Sequence, residues 1–96
     1  MRFLFFYLMA DDPDRVGEVA PRHAAYWHEL ALSGYFGGAF SDRSGGLITF
    51  EADTWARAEQ LVTDDPFLRE STISSWWLKQ WLPEGAVPTA SPAGER

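Results

Sequence analysis

The chain has 96 residues, no cysteine and a formal net charge of −6 at pH 7. That length makes one domain. The charge argues against nucleic acid and anionic membranes as partners, and the lack of cysteine excludes disulfides and thiolate metal sites.

The first predicted element is a strand, Arg2–Ala10. Phe3, Phe5, Tyr7 and Met9 point one way, and Leu4, Phe6, Leu8 and Ala10 the other. Both faces are apolar, so the strand needs cover on both sides. The run is too short to span a bilayer. It also lacks an h-region followed by a small-residue cleavage site, so the expected location is the cytoplasm.

An acidic turn, Asp11–Asp14 broken by Pro13, leads into the stretch PRHAAYWHELALSG, Pro21–Gly34, read as an amphipathic helix. Val16, Val19, His23, Tyr26, Trp27 and Leu30 recur at spacings of three and four and share one face. Gly34 suits the helix stop. An imidazole on the inward face, among aromatic side chains, is the strongest sign of chemistry in the chain. His28 lies about 140° further round the helix, at about 100° per residue, and is expected to face solvent.

Tyr35–Ser41 reads as a second strand, in which Gly37 and Gly38 suggest a bulge or the close approach of a ligand. Asp42–Gly46 reads as a hairpin turn and Leu47–Ala52 as a third strand antiparallel to the second. Asp53 or Thr54 caps a second helix with Trp55, Ala58, Leu61 and Val62 inward. Asp65 before Pro66 ends that helix and caps a short turn. Thr72–Leu82 is the last strand, and residues 83–96, rich in Pro, Gly, Ala and Ser, read as a flexible tail.

The order β-α-β-β-α-β predicts an α+β, ferredoxin-like fold: a four-stranded antiparallel sheet with two helices on one face. Hydrophobic residues make up 46% of the chain and aromatics 16%. A chain this short buries only roughly 60–65% of its unfolded surface, so the other face of the sheet is expected to pack on a second copy in a homodimer.

His23 reads either as a core histidine bonded to a backbone carbonyl or as a general acid/base, since an imidazole titrates near pH ~6.5. Asp65 is a helix cap, a catalytic partner that orients His23 or accepts the proton itself, or both cap and partner. Tyr7, Tyr26 and Trp27 are core residues that also wall a pocket between sheet and helices. Ser41 and Asp42 sit at a strand end, where they hydrogen-bond a small-molecule ligand or form a solvated turn. Arg22 attracts an anionic substrate or forms a surface ion pair. No HxH, HExxH or phosphate-loop spacing is present, so no metal and no cofactor are expected. No nucleophile elbow marks a Ser-His-Asp set, and Gly45-Gly46 is read as turn only.

The strand FLFFYLMA, then Arg22-His23 with Tyr26 and Leu30, Gly34, Gly38-Ala39-Phe40, Asp42, Gly46 and Asp65-Pro66-Phe67 together resemble the YCII-related family over residues 1–82, with the tail outside. Where that family commonly has Gly-Pro, this chain has Gly38-Ala39. The resemblance implies a dimeric α+β barrel and a site built from His23 and Asp65. It also implies small, often aromatic or quinone-like substrates. The reading drawn from residues and resemblance together is a cofactor-free acid/base enzyme of isomerase or lyase type. Its rivals are a non-catalytic small-molecule-binding module and a purely structural dimer.

Overall fold

The computed structural model describes residues 1–85; the expected tail falls mostly on 86–96, outside the described residues. Strand β1 is Arg2–Met9, helix α1 Pro13–Leu30, β2 Phe36–Ala39, β3 Gly45–Glu51, α2 Trp55–Thr63, α3 Pro66–Arg69 and β4 Ile73–Gln80. The sheet order is β2-β3-β1-β4, with every neighbouring pair antiparallel. This is the ferredoxin-like arrangement that the element order predicts.

Alternation along β1 sorts the sheet into two faces. Phe3, Phe5 and Tyr7 are buried toward the helices, where Val19 and Trp27 of α1, Ala58, Leu61 and Val62 of α2, Ile48 and Phe50 of β3 and Phe67 of α3 close the core. Leu4, Phe6 and Leu8 point the other way and are only half-buried. On that outer face Phe6 touches Phe40 and Trp77, and Trp77 is 45% exposed.

Local chemistry sets the element ends. The Asp12 carboxylate accepts from the Arg15 amide and Thr54 Oγ1 from the Arg57 amide, capping α1 and α2. Asp65 caps α3 through the Phe67 amide, with Pro66 in the first turn. Glu70 accepts from Arg15 and Arg22 of α1, tying α3 to that helix, so Arg22 is engaged in an ion pair.

Several element boundaries differ from expectation. Helix α1 begins at Pro13 and carries Pro21 inside it; the hydrogen bond that Pro21 cannot donate is outweighed by core packing on either side, at Val19 and Trp27. The helix stops at Leu30 with Ala31 in the left-handed region, not at Gly34. Gly34, at φ +64, instead turns the chain into β2, and a Cβ there would strike the Arg2 guanidinium, which donates to the Gly34 carbonyl at 3.1 Å. Gly45 and Gly46 belong to strand β3 rather than to the hairpin turn, because both lie flat against Tyr7 and Leu8 of β1. Strand β2 is shorter than Tyr35–Ser41 and pairs with β3 in unbroken register, so Gly37 and Gly38 form no bulge.

Candidate active site

The central feature is a chain of three polar side chains from three elements. Asp65, at the start of α3, is 0% exposed. Its two oxygens each lie 2.8 Å from His23 Nδ1. One oxygen also accepts from the Phe67 amide at 2.8 Å and the other from Trp27 Nε1 at 2.9 Å. The buried carboxylate is therefore satisfied by three donor groups.

A carboxylate facing Nδ1 assigns the proton of a neutral imidazole to that nitrogen. Nε2 is then left as the acceptor, and it lies 3.4 Å from Tyr7 Oη. The ring stacks on Phe67, with centroids 4.0 Å apart and 21° between the planes. Hydrogen bond and stack together fix the orientation of the imidazole.

Tyr7 reaches this point because β3 opposes it with a residue that has no side chain. Tyr7 pairs with Gly46, and a Cβ on Gly46 would collide with the phenol oxygen. Burial, and after it the negative charge of Asp65, push the Tyr7 phenol well above the usual tyrosine range, so it stays protonated.

Tyr7, His23 and Phe67 border a cavity of about 610 Å³ between α1 and the β2 side of the sheet, with Asp65 behind them. Ala20, Ala24, Gly37 and Ala39 give it small-residue walls; Ile48 and Phe67 give it apolar ones. The polar side chains that face it are Tyr7, His23, His28 and Tyr35. A second hollow, about 350 Å³, near Met1, Ser33 and Arg57, carries no imidazole or phenol.

The other residues proposed from sequence lie elsewhere. Trp27 is buried in the core behind the cavity, where its indole holds Asp65. Tyr26 turns toward α2 and donates to the Leu61 carbonyl at 2.6 Å; its phenol is pushed up to about 12, by burial first and the Asp64 charge next. Ser41 and Asp42 occupy an exposed turn in which Asp42 accepts from the amide and hydroxyl of Ser44. None of these four lines the cavity. His28 is exposed, as a position about 140° from His23 should be, yet it borders the cavity mouth because the space beside α1 is open there. The sequence reading gave neither His28 nor Tyr35 a role. The available signal was their sequence position: one follows His23 on the same helix and the other directly follows the Gly34 turn.

Among the described residues no cluster of three or more His, Cys, Asp and Glu side chains could hold a metal ion. The arrangement is suited to moving a proton at His23 Nε2, with the charge formed on the ring balanced by Asp65 and a neutral phenol beside it.

A family model, the YCII-related domain, matches residues 1–82. No curated protein is similar enough in sequence to count as a relative. Among the solved structures that share the fold is 5-chloro-2-hydroxyhydroquinone dehydrochlorinase from Burkholderia phenoliruptrix AC1100, in complex with 2,5-dihydroxybenzoquinone. It aligns with a TM-score of 0.76 at 22% identity, over 85% of this chain and 94% of the other. No helix among the described residues is long and apolar enough to cross a membrane.

Proposed function

This chain belongs to the YCII-related family, and on that footing we propose that it is a small acid/base enzyme, of isomerase or lyase type, acting on a cyclic, phenolic or quinone-like metabolite. The observation that carries the reading is the pairing of His23 with a fully buried Asp65 while Nε2 is left facing a cavity. The dehydrochlorinase with the same fold, bound to a dihydroxybenzoquinone, supports the choice of this substrate class.

In this reading His23 Nε2 takes a proton from the substrate ring or from one of its hydroxyls. Asp65 stabilises the imidazolium and prevents the ring from turning. The protonated Tyr7 phenol donates to the oxygen on which negative charge develops. The electron pair released by proton removal either shifts a double bond, giving isomerisation, or expels a leaving group, giving elimination. The proton is then returned from His23 to product or solvent. His23 and Asp65 are the catalytic pair, and Tyr7 contacts the substrate. No resident cofactor enters these steps.

A purely structural reading of the pair draws on the three donor groups around Asp65, which already give that carboxylate work in the fold. The two readings separate at His23. Purified protein is incubated with 5-chloro-2-hydroxyhydroquinone, and chloride release and quinone absorbance are followed. We expect turnover above buffer, reduced about 10²–10⁴-fold in His23→Asn while the melting temperature stays near that of the parent. No turnover of this compound or of a panel of hydroxylated rings, or full activity in a folded His23→Asn, overturns the assignment.

The same reading places the protein in the cytoplasm as a homodimer, in which Leu4, Phe6, Leu8 and the exposed Trp77 on the outer face of the sheet meet a second copy. Light scattering is expected to give twice the chain mass, reduced to one in Phe6→Glu.

A further inference from the structure

The polar side chains of the cavity fall into two groups. Tyr7 and His23 are tied to each other and to Asp65. His28 and Tyr35 face the same space, yet among the described residues neither side chain makes a hydrogen bond. The rest of the lining is alanine, glycine, isoleucine and phenylalanine. An apolar slot with polar groups at separated points fixes the orientation of what enters it.

The spacing along α1 sets the scale. His23 and His28 are five residues apart on one helix, about 7.5 Å along its axis at ~1.5 Å per residue. That distance accommodates a single six-membered ring with an oxygen at each end. Tyr35 completes the outer end and is held there from three sides. Its ring lies parallel to the Trp27 indole, 6.3 Å between centroids and 11° between planes. Its amide donates to the Leu32 carbonyl. The preceding Gly34 turn is pinned by Arg2, which also donates to Thr49 and Glu51. Partial burial raises the Tyr35 phenol above its ordinary range, so it remains a hydrogen-bond donor at neutral pH.

We propose that His28 and Tyr35 form a recognition pole that binds the oxygen or anionic substituent at the far edge of the substrate, opposite the edge presented to His23 and Tyr7. The site thus selects flat rings that carry polar groups on two opposite edges over rings that carry them on one. The inference rests on the proposed function for the identity of the reacting edge. The selection among rings is a binding property and is measured without turnover.

The test is calorimetric titration of the intact protein with two probes: 2,5-dihydroxybenzoquinone, with oxygens on opposite edges, and catechol, with oxygens on one. The parent is expected to bind the first more tightly. His28→Ala and Tyr35→Phe each weaken it about three- to tenfold, the worth of one hydrogen bond, and leave catechol affinity unchanged. His23→Asn keeps the preference between the probes. Tyr35→Phe retains the ring stacked on Trp27 and removes only the hydroxyl, and His28 is exposed, so melting temperatures near the parent's verify both folds. Preference erased in the two variants supports the recognition pole even if no ring is ever turned over. Both variants binding both probes as the parent does overturns it, as does a parent with no preference or no binding, whatever the activity assay shows.

Discussion

Two aspartates, Asp65 at the α1–α3 junction and Asp42 in the turn between β2 and β3, carry out the same local task with different consequences. Each accepts a hydrogen bond from a backbone amide two residues ahead. Asp42 spends its other bond on the Ser44 hydroxyl and stays in water. Asp65 is sealed from solvent and uses its remaining capacity on an indole and an imidazole. An aspartate near a turn is ordinary in sequence. What makes one of them part of a site is the burial that forces every lone pair to find a donor, one of which here is a titratable ring.

The contrast is broken most severely at the buried end. Asp65→Ala leaves the Trp27 indole, the Phe67 amide and the His23 Nδ1–H without their acceptor. It is expected to cost about 3 kcal/mol or more of stability and to remove activity as well, read by chemical denaturation and by the turnover assay. Gly46→Ala comes next. A Cβ at that position collides with Tyr7, and the overpacking is expected to cost about 1–3 kcal/mol while turning the phenol away from Nε2. Tyr7→Phe, which keeps the ring and deletes the hydroxyl, is expected to lower turnover about tenfold, the worth of about one hydrogen bond to the developing charge, with stability nearly unchanged.

The exposed end gives the smallest effect. Asp42→Ala is expected to leave turnover unchanged and lower the melting temperature slightly at neutral pH. The Ser44 hydroxyl, and then its amide, hold the Asp42 carboxyl below the usual carboxylate range. A depressed value in the folded state means the stabilisation is complete above the ordinary value of 3.8 and is lost as pH falls through the folded one. Parent and variant melting temperatures are therefore expected to converge in acid. A difference that grows below that range contradicts the assignment of this turn as purely local.

The fold was readable because its signals are local and repeated. Alternation in β1, three-and-four spacing in α1 and the Asp65-Pro66 step each name their element independently. The meeting of His23 with Asp65 was suggested by a resemblance, since no spacing relates positions so far apart. What pattern could not supply was the space around them. Gly45-Gly46 looks like a turn to any local rule, and its role as the gap that admits Tyr7 exists only once β1 and β3 are paired. Tyr26 and Trp27 share the helical face of His23, but helix packing turns one toward the Leu61 carbonyl and the other under the cavity floor. The angle of His28 on the helix points it to water. That angle is correct, and the cavity simply opens on that side.

The three-way grip of Asp65 has a consequence for how this frame could diversify. A replacement there damages foldability and chemistry in one stroke, so an altered chemistry has no gradual route through that position. The rim of the hollow, at His28, the Tyr35 hydroxyl and the exposed Ala24 of α1, bears little of the architecture's weight, and it is there that new substrate tastes can be acquired one residue at a time.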